Sequence, residues 1–256
     1  ANKESIICGN KFLINHAKKY NCNLIPIDSE HHCIDFFLKN FKLNNMIDKF
    51  YIMASGGPFL NKKAKKNENI KNVINHPVWN MGKVISINSS TLSNKVLELF
   101  EAKILFNIPV NKLKILIEQK SNFHVIIKLK NNIFLPVIHS PSMQIPISNA
   151  LSLSNKNNIN FVNRKFEIKE INYTQFPLVK LGYKILNKYD EKAMIVFTVL
   201  NDRLVNLYLN KKIKYGDIAS ILINTFNKKM IINELKKKIK NYKDVISTIN
   251  FAKKLC

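Results

Sequence analysis

The apolar periodicity of this chain changes once, at Phe176-Pro177, and that change limits the folds open to it. Before it, short apolar runs at 23–27, 50–54, 113–117, 123–129 and 133–138 have the length and make-up of strands, while 91–106 repeats at helical spacing. Glu118-Gln119-Lys120-Ser121 and Asn131-Asn132 read as turns between the later runs. After it the spacing is helical throughout, over 178–186, 193–209, 215–226 and 231–255. Pro177 suits a first helical turn, and Gly216-Asp217 supplies a start signal. These patterns predict an α/β (α+β) domain with a mixed sheet and packed helices over 1–150 and a connecting segment over 151–175, rich in Ser, Asn and Lys. A C-terminal α-helical bundle follows over 176–256. No internal repeat is visible.

With 256 residues, 46% of them hydrophobic, the chain can bury a real core. No run approaches the roughly 20 apolar residues that span a bilayer, and the first residues lack the basic-then-apolar layout of a secretory signal. Cys8, Cys22, Cys33 and Cys256 are scattered, with no Cys-x-x-Cys pair, which argues for a reducing compartment over a zinc ribbon or disulfide framework. The chain opens on Ala1-Asn2-Lys3 rather than Met, so an amino-terminal portion is expected to be missing. A net charge of +24 would ordinarily suggest nucleic acid. The lysines, however, are dispersed among many Asn and Ile, without an arginine-rich or aromatic-basic motif. The densest runs, Lys62-Lys63-Ala64-Lys65-Lys66 and Lys236-Lys237-Lys238, read as a solvated loop and a helix face.

Against only 17 acidic residues, Asp28, Glu30 and Glu98 stand out. In an extended segment residues two apart point the same way, so Asp28 and Glu30 are expected to converge on one ion, with Ser29 turned away or donating its hydroxyl. On a helix Asn94, Lys95 and Glu98 share a face. Carboxylate oxygens favour hard cations such as Mg²⁺ or Mn²⁺. Small residues in Ser55-Gly56-Gly57-Pro58 let backbone N–H groups approach an anion, and Ser89-Ser90-Thr91 brings hydroxyls to a helix start, together a phosphate pocket. The stretch from His76 to Gly82 holds the single Trp and has the make-up of a loop that closes over ligands. Each motif has a plainer reading: an Asx turn or N-cap, an ion-paired helix, an ordinary turn, a structural histidine. Their combination is what points to a metal and phosphate site. His31-His32-Cys33 does not make a zinc site, because adjacent side chains point apart.

Five segments in order, Ala-Asn-Lys-Glu-Ser (1–5), Ile-Pro-Ile-Asp-Ser-Glu-His (25–31), Ala-Ser-Gly-Gly-Pro-Phe (54–59), His-Pro-x-Trp-x-Met-Gly-Lys (76–83) and Ser-x-Thr-x-x-Asn-Lys-x-x-Glu (89–98), resemble the 1-deoxy-D-xylulose 5-phosphate reductoisomerase family. The likeness thins but continues in Met143-Gln144-Ile145-Pro146-Ile147, Phe176-Pro177, Asn201-Asp202 and 213–218. It implies a catalytic domain joined to a helical bundle, and NADPH-dependent isomerisation and reduction of 1-deoxy-D-xylulose 5-phosphate to 2-C-methyl-D-erythritol 4-phosphate for non-mevalonate isoprenoid synthesis. A homodimer in the bacterial cytoplasm or plastid stroma is implied too, with neither a membrane nor a specific nucleic-acid partner. The resemblance assigns Mg²⁺ or Mn²⁺ to Asp28, Glu30 and Glu98, and the substrate phosphate to Ser55, Ser89, Asn94 and Lys95, with His76 nearby. Lys3, Ser29 and Glu30 would contact the substrate's carbon chain, and Glu98 would reach substrate as well as metal. Lys3, Glu30 and His76 carry the catalytic roles, Asn2, Glu4 and Gly82 face NADPH, and Trp79 and Met81 ride a flap.

Some positions depart from the family. Its amino-terminal nucleotide-binding domain, with a Gly-x-x-Gly-x-x-Gly turn, is missing from this sequence, so the chain alone is expected to hold NADPH poorly. Asn88 replaces an Asp, His32-Cys33 replace small residues, Glu118-Gln119-Lys120-Ser121 replaces a His-Pro-Gln-Ser run, and Thr198 replaces an Asn. The competing readings are a non-catalytic relic or structural subunit of the same fold and a basic nucleic-acid-binding module.

Overall fold

The computed structural model describes residues 2–153, 166–189 and 191–255; residues 154–165 of the expected connecting segment lie outside the described residues. Two helices come first, α1 (Lys3–Lys19) and α2 (Ser29–Asn40), then strand β1 (Ile47–Ala54). The chain next runs through α3 (Ile70–Ile74), α4 (Lys83–Ser90) and α5 (Ser93–Phe106) into β2 (Leu113–Ile117), β3 (Phe123–Leu129), β4 (Phe134–Ile138) and α6 (Gln144–Ala150). Strand order is β2-β1-β3-β4, with β1 parallel to β2 and antiparallel to β3, and β3 antiparallel to β4. The sheet is therefore mixed, as its strand pattern predicts. A parallel pair needs a long crossover, and α3 to α5 supply it. The β3–β4 hairpin turns through Asn132 at φ +64°, a left-handed conformation that Asn tolerates better than most residues.

The rest is helical: α7 (Pro177–Lys188), α8 (Glu191–Leu209), α9 (Tyr215–Asn227), α10 (Lys229–Leu235) and α11 (Tyr242–Lys253). One sheet face buries Phe50, Ile52, Leu113, Ile115, Val125 and Ile127 in a core that continues without a break into α5, α7, α8 and α9. The other face gathers a smaller cluster around Met53, Phe123 and Ile126. Helix α5 is the shared member. Its Phe100 meets Phe197 of α8 edge to face at 5.5 Å, and Gly182 of α7 lies so close to it that a Cβ there would sit 2.7 Å from Val96 Cγ1.

Four expectations need correction. The apolar run at 23–27 is not a strand: Leu24 and Ile25 are exposed, Pro26 has no N–H to give a ladder, and the run has no pairing partner among the described residues. The helix read at 231–255 is two. Consecutive lysines 236–238 follow the end of α10, and Asn241 restarts the helix as a capping box, accepting from Asp244 N at 3.1 Å while Asp244 Oδ2 accepts from Asn241 N at 3.3 Å. That lysine run is therefore a helix end and loop rather than a helix face. Helix α5 starts two residues late, because buried Leu92 takes φ +56° to turn the chain sharply between α4 and α5.

Phe197 is fully buried where sheet-side and bundle helices meet. Replacing it with Ala is expected to lower the unfolding free energy by about 3–5 kcal/mol, seen in urea titration as an earlier midpoint with an unchanged slope.

Candidate functional site

A cavity of about 520 Å³ opens where the starts of α1 and α2, the end of β1, one face of α5 and the start of β3 come together. Asp28 and Glu30 do not sit on a strand. Asp28 is the N-cap of α2, accepting from Ser29 N at 3.1 Å, and Glu30 lies in the first turn, where a helix N-terminus favours anions. Ser29 is not turned away; it lines the cavity and its hydroxyl donates to Glu30 Oε2 at 2.5 Å. From α5 come Asn94, Lys95 and Glu98 on one face, as their spacing requires, with Asn94 Nδ2 donating to Glu98 Oε1 at 2.5 Å. One carboxylate oxygen each from Asp28, Glu30 and Glu98 lies within 4.8 Å of the others.

Two buried ammonium groups neutralise these acids. Lys3 Nζ pairs with Asp28, reaches Glu98 Oε1 at 3.4 Å and donates to Asn94 Oδ1 at 2.9 Å. Lys95 Nζ pairs with Glu30 and with Glu98 Oε2 at 2.8 Å. Burial alone would discharge such groups; here the charges hold one another ionised. Despite burial, Lys3 and His31 keep the Asp28 carboxyl well below its ordinary range, and Lys95 lowers that of Glu30. Glu98 differs: burial and then the neighbouring Glu30 push it up to about 7, against the pull of Lys95 and Lys3. Three convergent oxygen donors, fully buried at Glu98, are a hard-cation ligand set, and they fit a divalent metal by donor type.

Ser55 lines the cavity, but the two glycines after it do not; they bring the turn against α4, and Gly57 N donates to Ser55 Oγ at 3.4 Å instead of facing the site. Gly56 and Gly57 both take positive φ, +84° and +63°, and a Cβ on Gly57 would meet Ser89 O at 3.0 Å. The turn after β1 can thus press against the end of α4 only with glycine there. His76 Nδ1 accepts from the backbone N–H groups of Val78 and Trp79, at 3.1 and 2.9 Å, so in the neutral ring the proton sits on Nε2 and is donated to Ser55 Oγ at 2.9 Å. Burial, with help from the Lys95 charge, lowers the His76 pKa to about 4. Ser89 lines the cavity, but Ser90 and Thr91 do not; their hydroxyls turn inward, Ser90 onto Ile87 O at 2.7 Å and Thr91 against Ser93 Oγ at 2.9 Å. The sequence motif thus places one hydroxyl at the site rather than three.

Lys3, Ser29, Ser55, His76, Asn94 and Lys95 all line the cavity, and Trp79, Met81 and Gly82 reach it from the 76–82 loop. Trp79 Nε1 donates to Ser121 Oγ at 3.2 Å, tying that loop to the start of β3. Asn2 and Glu4 do not line it; Asn2 caps α1 by accepting from Ser5 N at 3.0 Å. Sequence reasoning did not place Ser121, His124 or the 141–143 segment at the site; Ser121 and Met143 fall in runs compared with the family but were given no site role, and all reach the cavity through sheet topology. It also missed Glu101, whose spacing three residues beyond Glu98 was the available signal. The substituted positions are absorbed locally: Asn88 Oδ1 accepts from Ser93 Oγ at 3.0 Å and Asn201 Nδ2 at 2.9 Å, Glu118 accepts from Asn122 N at 2.6 Å, and Thr198 donates to Met194 O at 2.8 Å.

His76 gives a pH prediction. Its folded pKa lies below the unfolded value, so the unfolded chain binds more protons between about pH 4 and pH 6.5. The stability that its neutral ring contributes is complete above pH 6.5 and is lost as pH falls through 4. NMR titration should find its midpoint near 4 with the Nε2–H tautomer above it; a midpoint near 6.5 would contradict the assigned bonds.

Two family descriptions match the chain: a 1-deoxy-D-xylulose 5-phosphate reductoisomerase C-terminal domain over residues 24–106, and a DXP reductoisomerase C-terminal domain over 138–255. The 1-deoxy-D-xylulose 5-phosphate reductoisomerase of Pelagibacter ubique (strain HTCC1062) is 42% identical over 229 residues, covering 86% of this chain and 58% of that protein. The enzyme of Wolbachia sp. subsp. Drosophila simulans (strain wRi) is 38% identical, covering 86% of this chain and 59% of its own length. Among solved structures, a DOX-P reductoisomerase in complex with NADPH, fosmidomycin and magnesium superposes with TM-score 0.87 at 28% identity, covering the whole of this chain and 67% of that one. The Zymomonas mobilis enzyme in complex with NADPH gives 0.84 at 28% identity, covering all of this chain and 66% of its own. The chain spans somewhat under three fifths of the length of the Pelagibacter relative, 58% of it, and both C-terminal domain descriptions fall within the chain. It belongs to the 1-deoxy-D-xylulose 5-phosphate reductoisomerase family.

Proposed function

We propose that this chain supplies the metal and substrate side of an NADPH-dependent enzyme converting 1-deoxy-D-xylulose 5-phosphate to 2-C-methyl-D-erythritol 4-phosphate for isoprenoid precursor synthesis. The observation that carries the reading is the meeting of Asp28, Glu30 and Glu98 oxygens within 4.8 Å, in one cavity with Ser55, His76 and Ser89. A relative solved with NADPH and magnesium supports Mg²⁺ or Mn²⁺ as the cation and NADPH as the reductant. Held by the three carboxylates, the ion would polarise the substrate's carbonyl and hydroxyl oxygens as a Lewis acid.

The remaining work falls to side chains of this chain. With the acids neutralised by a cation, Lys3 and Lys95 are released from their ion pairs; Lys3 and the Ser29 hydroxyl face the sugar oxygens, Lys95 and Asn94 the phosphate. Because Ser55 Oγ accepts from His76, its own hydrogen is left to donate to a phosphate oxygen, and Ser89 offers a second hydroxyl. Binding the remote phosphate supplies energy to position the reacting end, while Trp79 and Met81 close over it and exclude water. Gly82, with Asn2 and Glu4 at the start of α1, is assigned to the NADPH side. In this reading residues 1–150 carry the site, 151–175 connect, and the bundle at 176–256 braces α5. A homodimer is supported by β4, the edge strand of the sheet among the described residues, where Phe134 is 52% exposed beside an exposed Ile133. The bacterial cytoplasm or a plastid stroma is the proposed place of action; no helix among the described residues is long and apolar enough to cross a membrane.

Calorimetry tests the reading. 1-Deoxy-D-xylulose 5-phosphate should bind in the presence of Mn²⁺ and not in EDTA, and Ser55→Ala should weaken that binding about 5–10-fold, the loss of one hydrogen bond. Mn²⁺ at about 100 times its Kd should add about 2.7 kcal/mol of stability, and Glu98→Gln should remove most of it. Equal sugar-phosphate binding with and without metal would sink the proposal. For the dimer, light scattering should show Phe134→Lys shifting the protein to monomer.

A further inference from the structure

We propose that Glu101 is a positioning residue for the cation site, acting through His31 to set where Asp28 and Glu98 stand; this rests on the metal reading above. His31 is fully buried and Glu101 is 4% exposed, and neither lines the cavity. The His31 ring spans α2 and α5. Its Nε2 lies 2.9 Å from the backbone oxygen of Glu98, and its Nδ1 faces Glu101 Oε2 at 3.3 Å and Asp28 Oδ2 at 3.7 Å. Phe106 stacks nearly parallel on the ring, 6.2 Å between centroids at 11°, and fixes its plane.

Nε2 is hydrogen-bonded to the Glu98 carbonyl, whereas Nδ1 stands at ion-pair distance from two carboxylates without a hydrogen bond to either, so Glu101 acts on the ring through charge; the oxygens around the ring belong to Asp28, Glu98 and Glu101. Glu101 follows Glu98 by three residues on α5 and so faces the same way, one turn further from the cavity. It is the outer anchor: its carboxylate draws Nδ1 toward α5, which in turn fixes the ring against the Glu98 carbonyl and beside Asp28. Asp28, His31 and Glu101 also offer donor atoms within 4.8 Å of one another, the outline of a second metal group. The two groups share Asp28, and neither His31 nor Glu101 lines the cavity through which an ion would enter, so the group is read as support for one ion.

Partners that hold metal ligands from behind typically change affinity 10–100-fold when removed. Mn²⁺ binding to the full chain, measured by calorimetry, should give one ion per chain, with Kd at least tenfold weaker in Glu101→Gln and an intermediate value in Glu101→Asp, which keeps the anion one methylene further back. In a His31→Gln background, Glu101→Gln should add little, because its effect runs through the ring. Thermal midpoints in EDTA follow the fold: a loss of metal affinity with an unmoved EDTA midpoint is the positioning signature. An unchanged Kd in both Glu101 variants, equal effects in both backgrounds, or two ions per chain would overturn the proposal while leaving the Asp28, Glu30 and Glu98 site intact. No Mn²⁺ binding by the wild type, or undiminished binding by Glu98→Gln, would overturn the metal reading itself and this inference with it.

Discussion

The site is organised by opposite charge held out of water. Lys3 and Lys95 come from α1 and α5, Asp28 and Glu30 from the start of α2, and Glu98 from α5, and none of the five is more than partly accessible. Buried ions are tolerated only when every one has a partner. Three helices are therefore fixed to one another by electrostatic necessity as well as by packing, and the cavity is the space that their mutual neutralisation defines. Three carboxylates share two ammonium groups, and Glu98, fully buried beside Glu30, is the acid whose charge is least compensated.

Packing gives that charge cluster its stiffness. The polar face of α5 carries Asn94, Lys95 and Glu98, while its apolar face carries Val96 and Phe100 into the bundle. The bundle thus supports the cavity from behind, with Phe197 and Gly182 packed directly on the helix that carries Asn94, Lys95 and Glu98. At the other wall the Gly57 approach to Ser89 O couples the end of β1 to the end of α4 without any side chain between them.

Much of this was legible in the residue order. Strands β2 and β3 were marked by Ile and Val bounded by turns, and the face shared by Asn94, Lys95 and Glu98 follows from helical spacing alone. What the order could not supply was long-range. The run at 23–27 has strand-like residues, but its exposure and Pro26 decide otherwise, and Asp28 and Glu30 meet as cap and first turn instead of alternating on a strand. Ser121 and His124 reach the cavity only because β3 lies beside β1, a pairing invisible without the sheet. Lysines 236–238 look like a helix face locally, yet Asn241 offers the backbone a better start five residues on from Lys236.

The His76 imidazole has a mechanical meaning beyond its charge state. One nitrogen is gripped by the amides of residues 78 and 79 and the other by Ser55 at the strand end, so the ring behaves as a rigid stud riveting the rim to the floor. A swing of that rim would drag the stud, and the serine would register it, so the posture of the loop and the orientation of the Ser55 hydroxyl are mechanically one thing.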